Sequence, residues 1–355
     1  MKIETTIKDL IRNSGPISIS RYMEICLWDN KYGYYTSNEV FGGKGDFITS
    51  PEVSQTFGEL IGLWAFSFYQ KFLSRNRLCI TELGSGRGTL LKDAIRAIYT
   101  VTNKQIDLDI TILEKSQRLV TLQRENLRNN NVRWISNIKK LSSEPQIIIA
   151  NEFFDALPIN QYVKGNEGWH EKRISIKNDK LCFTLDKKIW VPNDSIFSNF
   201  EIGDTLEYSE PGVTIFSNIC NHLFKYDGVL LVIDYGNTSG VGDTLQAVNN
   251  HEIRSVLETP GQSDLSSHVN FNLLKEIANK KNLYVSPLVD QQRFLLKLGI
   301  EERLKSLTKN LRSSKAEKVA SEIKRLIDPD KMGTLFKVIA ITKNKKHLEG
   351  LNQYA

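Results

Sequence analysis

A glycine-rich turn follows an apolar segment near residue 80. The segment 78–83 ends at Gly84, and Gly86 and Gly88 follow at every second position. Glycines in such a turn permit a tight backbone and let a ligand approach the main chain. A dinucleotide fingerprint requires its third glycine at position 89, where this chain has Thr89. The G-x-G-x-G spacing after an acidic residue is typical of S-adenosylmethionine sites, because that cofactor has no pyrophosphate to cradle.

Two acidic residues and a serine accompany the turn. Glu82 precedes it, and we expect this carboxylate to organise the turn near the amino group of the cofactor's methionine moiety. Ser85 lies within the turn and is also predicted to bind cofactor. Glu114 ends the next apolar segment, 30 residues after Gly84, where a carboxylate can accept hydrogen bonds from both ribose hydroxyls. Two alternatives stay open: Glu114 could cap the following helix, and Glu82 could be a buried partner of backbone amides.

Polar residues cluster again after the apolar segment 145–150. Asn151 offers an amide, while Glu152 and Asp155 supply negative charge. If the methyl acceptor is a guanidinium nitrogen, a carboxylate must orient it and take a proton, so these three are the candidate catalytic residues. Asn151 is also a candidate cofactor ligand. Both acids could instead stabilise a helix N-terminus, where negative charge is favoured.

A fourth pair of site candidates follows the apolar segment 228–233. Asp234 and Tyr235 reach the same predicted sheet edge, where they could contact substrate or cofactor, or form a helix cap or turn. His222, His251 and His268 lack the spacing of metal ligands. No metal site is therefore predicted.

The elements that must position these residues alternate between strand and helix. The apolar segments at 78–83, 108–113, 145–150 and 228–233 are continuous, which is typical of parallel strands covered on both faces. Helical patterns at 89–99 and 117–128 separate the first three. The sequence therefore predicts an α/β fold with a parallel sheet between helix layers.

The remaining segments are assigned around this core. Residues 1–75 are predicted to form an N-terminal helical and lid segment, with helices at 6–13, at 20–28 capped by Ser20, and at 53–72. The catalytic domain covers 76–345 and a tail covers 346–355. Period-two alternation over about 159–210 predicts an antiparallel β insertion, and a second insertion covers about 240–300. A charged amphipathic helical stretch is predicted at 301–327, before a last strand at 336–342.

The composition fits a globular protein. The chain has 355 residues, of which 40% are hydrophobic and 25% charged, with a formal net charge of +6. The basic residues are dispersed, so no nucleic-acid partner is expected. Four cysteines without C-x-x-C spacing are interpreted as free thiols of a reducing compartment. No apolar run predicts a membrane span and the N-terminus lacks targeting features, which together predict a cytoplasmic location.

Several motifs together resemble the MidA-like family of class I methyltransferases over nearly the whole chain. Two blocks are specific to that family: residues 45–55, GDFITSPEVSQ, and residues 151–158, NEFFDALP. The glycine turn at 82–90, ELGSGRGTL, is shared by many methyltransferases. Shorter matches lie at residues 32–35, 57–60, 234–236, 332–333 and 336–338. Mitochondrial members of the family are protein arginine methyltransferases needed for assembly of respiratory complex I.

The resemblance implies a Rossmann-like class I methyltransferase core, S-adenosylmethionine as methyl donor and a protein arginine as acceptor, with a complex I subunit as candidate partner and a homodimer left open. It also implies that residues 45–52 form a lid. Gly45, Asp46 and Glu52 would then face the substrate, and Thr49 and Pro51 the cofactor. The alternative is a rigid surface loop. After GDTL at 242–245 this chain continues with QAV, where the family tends to have an arginine.

Two other functions are weighed against methyl transfer. A non-enzymatic assembly factor would keep the cofactor pocket only as a scaffold, and the acids at positions 152 and 155 argue against it. A nicotinamide-dependent oxidoreductase would share the fold, but Thr89 in place of the third glycine argues against that reaction.

Overall fold

The described residues form both helices and strands. In chain order the helices are α1 (Lys2–Ser14), α2 (Ile19–Trp28), α3 (Tyr34–Ser37), α4 (Ser50–Val53), α5 (Gln55–Phe68), α6 (Thr89–Thr102), α7 (Gln117–Asn126), α8 (Glu210–Tyr226), α9 (Phe271–Lys280), α10 (Gln291–Lys297), α11 (Ile300–Thr308) and α12 (Ser313–Ile327). The strands are β1 (Ile17–Ser18), β2 (Arg77–Leu83), β3 (Asp107–Leu113), β4 (Val132–Ile135), β5 (Gln146–Asn151), β6 (Asn160–Lys164), β7 (Trp169–Lys177), β8 (Lys180–Trp190), β9 (Thr205–Tyr208), β10 (Gly228–Asn237), β11 (Gln246–Asn249), β12 (Glu252–Arg254), β13 (Asp264–Ser266), β14 (Val269–Asn270), β15 (Tyr284–Val285), β16 (Val289–Asp290) and β17 (Phe336–Thr342).

The computed structural model describes residues 2–37, 49–73, 77–190, 200–238, 240–249, 252–309 and 311–352. The chain divides into two compact units. The first unit comprises Met1–Phe47, Phe154–Ile215 and Gly236–Leu274, and the second comprises Ile48–Phe153, Phe216–Tyr235 and Lys275–Ala355. The domain limits placed at 75 and 345 from the sequence remain a prediction.

A mostly parallel sheet forms the centre of the second unit. Its strand order is β15-β17-β10-β5-β2-β3-β4, with β16 also paired to β17. Strands β4, β3, β2, β5 and β10 are parallel to their neighbours, and β17 is antiparallel to β10. Ile147, Ile148 and Ile149 of β5 are all fully buried, as the continuous apolar pattern requires of a strand covered on both faces. The predicted Rossmann-like α/β class is confirmed.

Helices α5 and α6 pack closely in the same unit. Gly58 and Gly62 lie one turn apart on α5, and a Cβ atom at Gly62 would meet Ala94 Cα at 2.5 Å. Glycine therefore permits the close approach of the two helix backbones at this crossing. Since α6 begins directly after Gly88, this packing supports the helix that follows the glycine turn.

The first unit contains the predicted antiparallel insertion. Strands β6, β7, β8 and β9 pair antiparallel, and β1 joins the edge of β7. Strand β11 pairs antiparallel with β12 and β13 in a small separate sheet. A buried cluster packs around α1 and α2, with Ile7, Ile19, Tyr22 and Met23 fully buried.

Three predicted helices differ in detail from the structure. Helix α2 begins one residue early, because the Ser18 hydroxyl, rather than that of Ser20, accepts the Arg21 N–H at 3.1 Å. The helix predicted at 53–72 is interrupted at Ser54, whose extended backbone ends α4 and caps α5. Its last turn is a π-helix, Tyr69–Leu73. The stretch predicted at 301–327 forms two helices, α11 and α12.

Candidate active site

The carboxyl ends of four neighbouring strands gather most of the predicted site residues. Strands β2, β3, β5 and β10 run parallel, and the register pairs Leu83 with Leu113 and with Ala150, and Ile233 with Asn151. Residues just beyond these positions must therefore lie along one edge of the sheet of the second unit. Open parallel sheets bind their ligands at this edge.

The glycine turn adopts the backbone that its sequence predicts. Gly84, Gly86 and Gly88 have φ angles of 62°, 52° and 80°, which disfavour residues with a side chain. The Gly84 N–H donates to the Leu113 carbonyl at 3.0 Å, which fastens the turn to β3. A Cβ atom at Gly84 would lie 2.8 Å from the Phe153 ring. The turn is thus closely packed, and its main chain lies at the edge of the sheet.

Glu82 lies beneath this turn with only 3% of its surface exposed. The Ser85 hydroxyl donates a hydrogen bond to its carboxylate, so these two predicted residues are brought together. Burial raises the pKa of Glu82 to about 7, the Ser85 hydrogen bond opposes this rise, and the charge of Glu114 adds to it. Glu82 therefore titrates near neutral pH.

Glu114 lies at the tip of β3 and is also buried, with 7% exposed. Its Oε1 accepts the backbone N–H groups of Lys115 at 2.8 Å and Ser116 at 2.9 Å. The cap of α7 is Ser116, whose hydroxyl accepts the Leu119 N–H. Burial raises the pKa of Glu114, and the hydrogen bonds from Ser116, Gln123 and Lys115 counteract that rise.

Gln123 is a site residue that the sequence analysis missed. Its Nε2 donates to Glu114 Oε2 at 3.2 Å and to the Gly86 carbonyl at 2.9 Å. Gln123 is fully buried, and Leu119 and Val120 on the same helix are also buried. The signal available in the sequence was a polar residue at an apolar-face position of α7, one turn after these two aliphatic residues.

Asn151 and Glu152 follow the last register pair of β5. Glu152 has a φ of 50°, unusual for a residue with a side chain, and its N–H donates to the Ile233 carbonyl at 2.9 Å. Its Oε1 accepts the Ser50 N–H at 2.8 Å and the Asn151 amide at 3.2 Å. Asn151 Oδ1 is buried and has no hydrogen-bond partner among the described residues. The Asn151 amide oxygen is thus a buried acceptor beside the glutamate.

Asp234 and Tyr235 end the buried part of β10. The fully buried Asp234 accepts the Phe153 N–H at 3.2 Å and the Tyr235 N–H at 3.0 Å. The Tyr235 ring contacts Phe336 edge-on, with 5.6 Å between ring centroids. The hydrogen bond from Phe153 joins β10 to the residues after β5.

The described part of the predicted lid begins at Thr49. Thr49 is the N-cap position of α4, and Pro51 is buried in its first turn. Glu52 accepts a hydrogen bond from the Thr89 hydroxyl, at the start of α6. The predicted substrate residues Gly45 and Asp46 lie outside the described residues.

Asp155 belongs to the first unit, unlike the other described candidates. Its side chain is buried, and its backbone carbonyl accepts the Ser267 N–H at 3.1 Å. In that unit the Tyr35 hydroxyl donates to the buried Asp264 at 2.9 Å. The hydrogen bond from the Ser267 N–H ties Asp155 to the segment around Ser267.

The edge of the second unit's sheet carries polar groups of the kinds that could bind S-adenosylmethionine. Glu114 offers a carboxylate to a ribose, and the positive-φ glycines expose main chain. The unpartnered Asn151 Oδ1 offers an acceptor for a cationic or N–H group. Across the described segments, no group of three or more His, Cys, Asp or Glu side chains is placed to hold a metal ion. None of the helices in those segments is long and apolar enough to cross a membrane.

Comparison with known proteins agrees with this arrangement. A family model described as "Putative S-adenosyl-L-methionine-dependent methyltransferase" matches residues 60–288, more than half of the chain. A solved structure from Burkholderia thailandensis, bound to S-adenosyl-homocysteine, matches with a TM-score of 0.84 at 24% identity. It covers 99% of this chain and 94% of the other, and supports the fold.

Curated relatives extend the match to almost the whole chain. The mitochondrial protein arginine methyltransferase NDUFAF7 of Danio rerio is 30% identical, covering 92% of this chain and 84% of the relative. The human protein of that name is 30% identical over 95% of this chain and 82% of its own length. The Caenorhabditis elegans homolog is 31% identical, over 94% and 84%.

These relatives bear on three of the predictions. They are named as mitochondrial proteins, so the cytoplasmic location predicted from the sequence is wrong. The oxidoreductase and non-enzymatic alternatives are not favoured, because the relatives are named methyltransferases. The predicted family resemblance is confirmed by the model match and the relatives. The chain belongs to the family of S-adenosylmethionine-dependent methyltransferases that includes these arginine methyltransferases.

Proposed function

We propose that this methyltransferase transfers its methyl group to the guanidinium group of an arginine in a protein. The observation that carries the proposal is the alignment of more than nine-tenths of the chain with relatives named protein arginine methyltransferases. The resemblance seen in the sequence adds a subunit of respiratory complex I as the acceptor to test first. The homodimer left open by the sequence forms no part of the proposal.

The chemistry explains why an acidic site suits this acceptor. S-adenosylmethionine supplies an electrophilic methyl group on a sulfonium. A guanidinium is protonated at neutral pH, so the attacking nitrogen must lose a proton during or after the transfer. We assign to Glu152 the orientation of the guanidinium and the acceptance of that proton. Its half-buried carboxylate accepts hydrogen bonds from the Ser50 N–H and the Asn151 amide, which hold it in position.

The other site residues are assigned by their positions. We propose that Glu114 binds the ribose and that the turn containing Glu82 lies against the methionine moiety. The complete proposed cofactor set is Thr49, Pro51, Glu82, Gly84, Ser85, Gly86, Gly88, Glu114 and Asn151. Asn151 joins Glu152 as a proposed catalytic residue, and Glu52, Asp234 and Tyr235 are proposed to face the substrate. The catalytic role of Asp155 is proposed from the sequence alone.

The substitution Glu152→Gln tests the proposed role of the carboxylate. The amide keeps the size of the side chain and an acceptor for the Ser50 N–H, but it cannot take the proton. We expect turnover to fall by about 100-fold or more, while the dissociation constant of S-adenosyl-homocysteine stays within about twofold. Turnover is measured as deuterated methyl transfer to arginine in extracts of a deletion strain, by mass spectrometry, and affinity by calorimetry.

The exposed Glu125 of α7 offers a matched control. Glu125→Gln removes one carboxylate from the same unit away from the sheet edge and should leave both measurements unchanged. Unchanged turnover in Glu152→Gln would reject the assigned role. A deuterated methyl group found on lysine, and none on arginine, would reject the proposed acceptor.

A further inference from the structure

Gln123 makes three hydrogen bonds although its side chain is fully buried. The Trp134 indole Nε1 donates to its Oε1 at 2.9 Å. Its Nε2 donates to the Gly86 carbonyl at 2.9 Å and to Glu114 Oε2 at 3.2 Å. An indole N–H can only donate, so this bond fixes which end of the amide faces Trp134. Both hydrogens of the amide nitrogen are then directed at the proposed cofactor site.

These bonds limit what Glu114 itself can do. A carboxylate has about four acceptor positions. Oε1 already accepts the N–H groups of Lys115 and Ser116, and Oε2 accepts Gln123. About one position on Oε2 is therefore left for a ligand hydroxyl. The Gln123 bond helps to set the direction of that position, because it restrains the carboxylate together with the two N–H bonds to Oε1.

A second side chain of α7 reinforces the same connection. Asn126 lies three residues after Gln123, on the neighbouring turn of the helix. Its Nδ2 donates to the Arg87 carbonyl at 2.9 Å, within the glycine turn. Two amides of α7 thus hold two carbonyls of the turn, at Gly86 and Arg87. Of the two, Gln123 is the one that also reaches the acid at the tip of β3.

We propose that Gln123 is a positioning residue for the methyl donor: it joins Glu114 to the glycine turn and aims Glu114 Oε2 at a ribose hydroxyl. The proposal deepens the proposed function and rests on its cofactor site. Gln123 has no donor left for a ligand, so it acts through Glu114 and Gly86. Its removal should affect recognition of the ribose more than recognition of the rest of the nucleoside.

The substitution Gln123→Met tests this directly, since methionine has a similar length and no hydrogen-bond donor. Calorimetry would compare S-adenosyl-homocysteine with its 2′-deoxy and 3′-deoxy analogues, using the full chain. We expect S-adenosyl-homocysteine to bind about 10- to 100-fold more weakly, the range for one lost hydrogen bond to a charged group. The wild-type preference for it over the more weakly bound analogue should fall towards one. At saturating methyl donor, kcat should stay within about threefold of wild type.

A buried glutamine elsewhere in the second unit provides the control. Gln291 is fully buried in α10 and its Nε2 donates to the Leu326 carbonyl at 3.0 Å. Gln291→Met removes a comparable buried amide and should leave ligand affinity and ribose preference unchanged. It therefore separates a general loss of stability from a loss of positioning.

Two results would overturn the proposal. A third variant, Glu114→Gln, then shows whether only the role of Gln123 fails or the proposed cofactor site fails as well. Gln123→Met could weaken all three ligands equally or leave all of them unchanged; either outcome removes the role in ribose recognition. Glu114→Gln is then compared. If it abolishes the ribose preference, only the role of Gln123 fails. If it changes neither affinity nor preference, the proposed cofactor site fails as well.

Discussion

At the scale of single residues, the two buried acids of the glycine turn are held in different ways. Glu114 accepts hydrogen bonds from two backbone N–H groups and one amide, all of which favour its ionised form. Glu82 has the Ser85 hydroxyl as its hydrogen-bond donor, and burial raises its pKa to about 7. The change in the charge of Glu82 is therefore expected near neutral pH.

The raised pKa of Glu82 predicts a specific pH dependence of stability. Between its ordinary pKa of 4.5 and about 7, the native state binds a proton at Glu82 that the unfolded chain releases. Its contribution to stability therefore falls as the pH rises through that window. From about pH 6 to about pH 8, wild type should lose about 1 kcal/mol more of its free energy of unfolding than Glu82→Gln. Urea denaturation at both pH values measures this.

The titration of Asp93 does not affect the difference in pH dependence between wild type and Glu82→Gln. Burial raises the pKa of Asp93 to about 6, but it titrates in both proteins and cancels in the difference. Equal losses of stability in wild type and Glu82→Gln would show that Glu82 is ionised throughout the range.

Strand order alone predicts that some of the candidate site residues lie at one edge of the sheet. Glu82 and Glu114 end adjacent parallel strands, so their meeting at one edge follows from the pattern of apolar segments. Gln123 could not be found this way, because its contacts depend on how α7 lies against the turn. The same holds for the bond between Glu152 and Ser50, residues about a hundred positions apart that the sequence gives no reason to pair.

At the scale of elements, the crossing of α5 and α6 depends on the glycines of α5. A Cβ atom at Gly62 would lie 2.5 Å from Ala94 Cα and 2.7 Å from the Ala94 carbonyl oxygen. Both are backbone atoms, so a side chain can be accommodated only if the helices separate. The close contact therefore has a direct stability consequence.

Gly62→Ala should destabilise the protein by about 1–3 kcal/mol, the usual cost of overpacking. This loss should appear although alanine is the better helix former by about 1 kcal/mol. Chemical denaturation measures the difference. Ser67→Ala, at a half-buried position of the same helix, is the control and should change stability by less than about 0.5 kcal/mol. A Gly62→Ala protein as stable as wild type would show that the helices do not meet this closely.

Elements with a continuous apolar pattern were predicted well, and helix ends were not. Strands β2, β3 and β5 agree with the predicted segments to within one residue, because burial on both faces leaves an unbroken pattern, while β10 extends four residues beyond its predicted end. The sequence pattern does not indicate the break at Ser54, since apolar residues lie on both sides of it. Only its extended backbone, with φ −154° and ψ 133°, separates α4 from α5.

At the scale of the whole molecule, the alternation of strands and helices was sufficient to predict the α/β class. The antiparallel insertion followed from period-two alternation over residues now seen as β6 to β9. Location was not accessible in the same way. The lack of an apolar membrane-span pattern and of targeting features at the N-terminus predicted the cytoplasm, while the relatives are named as mitochondrial.

A crystal structure of the full chain with S-adenosyl-homocysteine tests the proposed site most directly. We predict the methionine moiety against the turn of Gly84 and Gly88, and a ribose hydroxyl at about 3 Å from Glu114 Oε2. The nucleoside bound away from both the turn and Glu114 would contradict the assignment of this sheet edge as the place where the methyl donor binds.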